Sequence, residues 1–250
     1  MNQQVELWNQ FCEKYVSKNL GIPLFDVDKN VVNIKKYGKN ERLILKRSQE
    51  MENLVIREVN KVLNDFENNQ DIYEGLIYMM YIVKNNIITP LYIGKSEKYG
   101  KQGDNLSGNI SKIEGNKSFF CRWGDNYAYH IGDLSAVVCP GHAKEKIARK
   151  YQRWASLLFE SYPTSAPVLK EDVYFWICAW EKGNVGIFKE FGSTPLTALE
   201  YQLISVAATI FPNSLLNHEG VNRGLKFNWI LWIILWQLYS TTISAQLIKT

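Results

Sequence analysis

At 250 residues the chain is long enough for one large domain or for a catalytic domain with a small appendage, and 46% apolar against 22% charged residues is ordinary globular usage. A formal net charge of +4 permits a polyanionic partner without requiring one. Cys12, Cys121, Cys139 and Cys178 are scattered with no CxxC pair, which indicates neither a zinc ribbon nor a disulfide-stapled secreted scaffold and leaves reduced thiols as the default.

The opening MNQQVELWNQ has no basic stretch followed by an apolar run, so the expectation is a protein that stays in the intracellular, cytoplasmic compartment where it is made. Residues 1–70 read as a mainly helical region, a candidate for DNA contact or dimerisation. Met51, Leu54, Val55, Val59, Val62 and Phe66 recur at the three-and-four spacing of one apolar helix face. Ahead of them Lys35, Lys36, Lys39, Arg42, Lys46 and Arg47 cluster against a single Glu41, as either a phosphate-contacting or a solvated helix face.

Composition then changes. GLIYMMYIV and PLYIGK are apolar, aromatic and β-branched, and the Asn pair between them predicts a β-hairpin. Residues 96–118, rich in Gly, Ser, Asn and Lys, read as a long surface loop inserted in the domain. A helix is predicted from His142 to Tyr162, with Ile147, Tyr151, Trp154 and Leu158 on one face. Lys144, Lys146, Arg149, Lys150 and Arg153 form its cationic face, of which Lys144, Arg149 and Arg153 are the nucleic-acid-binding candidates. VYFWICAW, residues 173–180, has strand composition, and Thr194 and Pro195 suit the start of a further helix.

From Phe227 to Ile248 there is no charge, yet Asn228, Gln237 and a run of Ser and Thr interrupt the apolar residues. A membrane span needs about 20 predominantly apolar residues, so no membrane is expected. Trp229, Trp232, Trp236 and Tyr239 at helical spacing predict a hydrophobic C-terminal helix over 226–250, used in packing or in a homodimer.

Gly75, Ile77 and Tyr78, then Tyr92, Ile93 and Gly94, resemble the two signature strands of the GIY-YIG nuclease superfamily. The first is written Gly-Leu-Ile-Tyr, one residue longer than the family triplet, while Tyr-Ile-Gly-Lys matches directly. The resemblance runs over about residues 71–225 and follows the family's order. Arg122 is the first arginine after the hairpin, Glu200 stands in the helix that bears the family's glutamate, and Asn217 takes the place of its closing asparagine.

The resemblance implies an α/β fold with a small three-stranded sheet flanked by helices, and a Mg²⁺-dependent endonuclease, with Mn²⁺ able to substitute, acting on duplex DNA in a restriction or mobile-element setting. A structure-specific repair nuclease, or a DNA-binding module with a decayed nuclease core, is the alternative. Glu200 would hold the metal and Arg122 would present its planar fork to the phosphate. Tyr78 and Tyr92 would activate or position the water, with their division of labour open. A phenol ordinarily ionises near pH ~10, so a tyrosine base needs a nearby cation, for which Lys95 is the candidate. His130, eight residues after Arg122, competes for the base role; Gly94 and Asn217 would support the site.

Overall fold

Trp8 and Phe11 stand one helical turn apart, and α1 (Gln3–Phe11) buries both. The computed structural model describes residues 3–100, 103, 105–115, 131–144 and 147–217. Beyond α1 the N-terminal region departs from the helical expectation. β1 (Val27–Asp28) pairs with β2 (Val31–Val32) across Lys29 and Asn30, whose φ values of 46° and 70° suit a two-residue hairpin turn. β3 (Ile34–Tyr37) pairs with β4 (Arg42–Leu45) in a second hairpin.

The basic cluster is therefore carried on and around a hairpin. Lys36 pairs with Glu41 at 2.7 Å, Lys46 with Asp26 at 2.5 Å, and buried Arg47 with Glu52 at 2.9 Å. Much of that charge thus serves local ion pairing. Then α2 (Gln49–Glu67) begins where the Ser48 Oγ accepts the Met51 N–H at 2.9 Å, an N-cap, and it buries Met51, Leu54, Val55, Val59 and Val62 as their spacing predicts.

β5 (Tyr73–Lys84) and β6 (Ile87–Glu97) form the expected hairpin, turning on Asn85 and Asn86 at φ 50° and 61°. The stretch read as a 96–118 loop carries regular structure at two places. Ser96 and Glu97 belong to β6, Lys98 is buried, and α3 (Gly108–Gly115) follows.

α4 (Ile131–Val138) precedes α5 (Arg149–Leu158), which is shorter than the predicted 142–162 helix. His142 lies outside it, bonded through Nε2 to the Leu43 carbonyl at 2.7 Å, and Ile147 is exposed. β7 (Tyr174–Glu181) and α6 (Leu196–Ile210) complete the described elements. The predicted C-terminal helix over 226–250 lies outside the described residues.

The main sheet is antiparallel in the order β6-β5-β7, with β5 central. Leu76, Tyr78, Met80 and Ile82 of β5, with Phe175, Ile177 and Ala179 of β7, share a core with the apolar faces of α2 and α5. Val32, Ile44 and Leu45 from the small hairpins join that core, so the segment before residue 70 packs into the same body as the sheet. On the opposite face lie Trp176 and Trp180, the first against Phe11 and the second donating from Nε1 to the Thr194 carbonyl just ahead of α6. All four described tryptophans are fully buried, so there the aromatic surplus is core.

Exposed sheet edges leave unpaired backbone groups. Here polar side chains take some of them up. On β7 the Ala179 N–H donates to the Glu58 carboxylate at 3.0 Å, itself paired with Lys61 at 2.8 Å. On β6 that office falls to Asn217.

Candidate functional site

Directly opposed residues of an antiparallel pair share a face. Tyr78 stands opposite Gly94 and Met80 opposite Tyr92, so both signature tyrosines lie on the α5 side of the sheet. Gly94 is a glycine for a steric reason: a Cβ there would lie 2.5 Å from the Tyr78 Oη and 2.6 Å from its Cζ. The phenol of Tyr78 occupies that space, its ring 6.2 Å from Tyr92 and 6.1 Å from Phe175. Only 6% of Tyr78 is exposed, whereas Tyr92 is half-buried with Trp154 at 5.1 Å.

The cation over this cluster is not Lys95. Successive strand residues point to opposite faces, so Lys95, beside Gly94, projects towards the α6 side. There it pairs with Glu97, and this ion pair together with the Thr197 hydroxyl holds the Glu97 carboxyl below its usual range. Among the described residues it is Lys150, in the first turn of α5, that brings a cation to these rings. Its Nζ lies 5.5 Å from the Tyr92 ring centroid and 5.6 Å from that of Tyr151.

Glu200 is carried by α6, the helix on the other face, and is half-buried there. A bulge in β5 positions this helix. Tyr73 pairs with Glu181 and Gly75 with Trp180, leaving Glu74 as the extra residue, and its carboxylate accepts the Leu196 N–H at 2.7 Å. An acidic group at a helix N-terminus satisfies a free donor and complements the dipole. The next residue, Thr197, donates to Glu97 at 3.0 Å, and Glu200 follows one turn later at the i+3 position on the same ridge. Tyrosines and glutamate thus flank edge strand β6 from opposite faces.

Asn217 closes that edge. Its Oδ1 accepts the Ile93 N–H at 3.0 Å, and its Nδ2 donates to the Ile93 carbonyl at 2.8 Å, between Tyr92 and Gly94 in the chain. Asn217→Ala leaves both buried groups of Ile93 without that partner and is expected to cost about 2 kcal/mol. Urea denaturation checks this as a fall in the midpoint at unchanged slope.

Arg122 and His130 lie outside the described residues. Lys144 and Arg149 are exposed, as a polyanion-facing surface requires, while Arg153 donates from Nη2 to the Leu215 carbonyl at 3.1 Å and so braces the segment after α6. Sequence reasoning missed Glu74 and the placement of Lys150 against Tyr92. The signal for Glu74 was its place ahead of Gly75, a glycine whose φ of 145° marks an irregular strand. For Lys150 the signal was only its membership of a basic helix.

Among the described residues no group of three or more His, Cys, Asp or Glu side chains is gathered to hold a metal, and no helix is long and apolar enough to cross a membrane. A site with one carboxylate needs no such group, since Mg²⁺ keeps several waters and takes further oxygens from phosphate. Glu200, half-buried on its helix ridge, fits that donor set. Compared with family models, with curated proteins and with solved structures, the chain matches none.

Proposed function

We propose that this protein is a Mg²⁺-dependent endonuclease that hydrolyses phosphodiester bonds of duplex DNA, leaving 5′-phosphate and 3′-hydroxyl ends. The observation that carries the reading is the fit of the two signature strands, with the Tyr78 phenol seated over Gly94 beside Tyr92 and Asn217 bonded to Ile93 between them. In-line attack by water accumulates charge on the phosphate, which a metal held by Glu200 would offset as a Lewis acid. Arg122 is assigned to the non-bridging oxygens, and the exposed Lys144 and Arg149 to the DNA backbone.

Purified full-length protein incubated with supercoiled plasmid and Mg²⁺ tests this. Nicked or linear product is expected, reduced in Glu200→Ala by a factor of about 10²–10³ while DNA binding is retained. Normal cleavage by that variant removes Glu200 from the metal site.

One observation favours a second reading, a DNA-binding module without cleavage: Tyr78 is 6% exposed and packs as a core aromatic. Retained binding with no cleavage of plasmid or branched DNA under Mg²⁺ or Mn²⁺ decides for it.

A further inference from the structure

Of the basic side chains on and around the β3–β4 hairpin, ion pairs absorb those of Lys36, Lys46 and Arg47. Lys35, Lys39 and Arg42 are left, and among the described residues none of them has an acidic partner. Lys39 sits at the exposed tip, where Gly38 at φ 74° and Glu41 at φ 46° turn the chain. Arg42 stands opposite Tyr37, so it shares a face of the ribbon with Lys35, two residues before Tyr37. Tyr37 and Leu43 pack against the core and hold the hairpin to the body, while Lys39 and Arg42 stay exposed.

The outer edge of β4 joins this hairpin to a second basic segment. The Ser135 hydroxyl of α4 accepts the Leu45 N–H at 3.1 Å. Gly141, at φ 85°, turns the chain after α4, and His142 bonds from Nε2 to the Leu43 carbonyl at 2.7 Å, next to Arg42 in the strand. Lys144 follows two residues later, within about 7 Å of chain. It and Arg149 are exposed, and they too have no acidic partner among the described residues. Unpaired like charges drawn together from two segments repel one another, and a polyanion relieves that repulsion. A ribbon of two strands about 4.8 Å apart enters the ~12 Å major groove of duplex DNA, which sets its flanking cations against the phosphates.

We propose that the β3–β4 hairpin and the segment carrying Lys144 and Arg149 form one DNA-gripping surface, with Lys35, Lys39, Arg42, Lys144 and Arg149 on the backbone phosphates of a duplex. The inference rests on the nuclease reading above for its partner. The hairpin itself precedes residue 71 and lies outside the segment that resembles the nuclease family.

The test is the salt dependence of binding to a labelled DNA duplex, read by fluorescence anisotropy with full-length protein in EDTA so that no cleavage intervenes. Each phosphate contact adds about 0.9 to the slope of log affinity against log salt. Removing Lys35, Lys39 and Arg42 together as glutamines should therefore lower the slope by about 2.7, and Lys144→Gln with Arg149→Gln by about 1.8. A control triple, Lys14→Gln, Lys18→Gln and Lys189→Gln, takes the same charge from beside α1, where Lys189 bonds to Gln10 at 2.9 Å, and should keep the wild-type slope. A hairpin triple with the wild-type slope, or a control that loses as much, overturns the proposal. Circular dichroism checks each fold, and Lys39→Gln alone, at the exposed tip, should lower the slope by about 0.9 if the triple does not fold. A wild type that cuts plasmid while the hairpin variants keep its slope removes this surface and leaves the nuclease reading standing. A wild type that binds with the expected slopes but does not cut removes the nuclease reading and leaves the surface.

Discussion

Gly75→Ala is expected to destabilise the protein by about 3 kcal/mol or more, a large effect for one added methyl group. At φ 145° the backbone is in a region that side-chain-bearing residues rarely adopt. The new Cβ would lie 2.2 Å from the Ser96 carbonyl oxygen and 2.9 Å from the Glu97 Cα, both backbone atoms of the partner strand, and 2.9 Å from Leu196. Backbone in a paired strand cannot step aside as a side chain can. Relief requires the hairpin to separate at its open end or the bulge to be lost, and either withdraws Glu74 from the Leu196 N–H and loosens the start of the helix that carries Glu200. A fall in the urea midpoint at unchanged slope measures the loss. Gly94→Ala gives the contrast: its nearest clashes, at 2.5 to 3.1 Å, are all with the Tyr78 ring, a side chain able to move. Its cost should be nearer 1–3 kcal/mol and should appear as altered near-ultraviolet circular dichroism, because the phenol must leave its seat.

Glycines 75 and 94 also mark what was readable in the chain. The hairpin was legible because two β-branched, aromatic runs meet at an Asn pair, and Asn tolerates the left-handed conformation that a two-residue turn requires. The Met51 to Val62 face was legible because helical spacing recorded its burial directly. The hairpins between residues 27 and 45 were not, because six basic side chains outweighed the turn signals at Lys29-Asn30 and Gly38, and local ion pairs absorb three of those charges. Lys95 was credited with a role on the tyrosine face since it adjoins Gly94, yet in a strand adjacency places it on the opposite face. Lys150, remote in sequence, comes to Tyr92 through helix packing that no local pattern encodes. Glu200 was placed on its helix, whereas its position across the sheet from the tyrosines depends on the Glu74 bulge.

Lys98→Met is expected to cost about 3–5 kcal/mol, because it strips the counter-charge from a carboxylate sealed in the fold. Lys98 and Asp65 are each 1% exposed in their side chains and meet at 2.7 Å. The ammonium also donates to the Gln70 carbonyl at 2.9 Å, and Asp65 accepts the N–H groups of Ile72 and Tyr73 at 3.0 and 3.1 Å. This knot fixes the chain between the end of α2 and the start of β5, while the Lys98 N–H holds the Glu74 carbonyl at 2.8 Å. It therefore stands behind the bulge that caps α6. Burial alone would raise the Asp65 carboxyl, but hydrogen bonds from Lys98, Tyr73 and Ile72 outweigh it and hold the group below its ordinary value. For Lys98 burial acts downward, and the bond to Asp65 holds it above its ordinary value. The carboxylate's contribution is thus present above the unfolded value of about 3.9 and lost as pH falls through the lower folded one. The lysine's contribution is present below about 10.4 and lost as pH rises through its higher folded value. With the counter-charge gone, burial lifts the Asp65 carboxyl in the variant, so as pH falls the variant takes up a proton there and the gap should begin to narrow above the ordinary carboxylate value, closing further as wild type loses its ion pair. Urea denaturation across that range reads the gap directly. A difference that stays the same into acid would mean that Lys98 contributes its packed methylenes and not its charge.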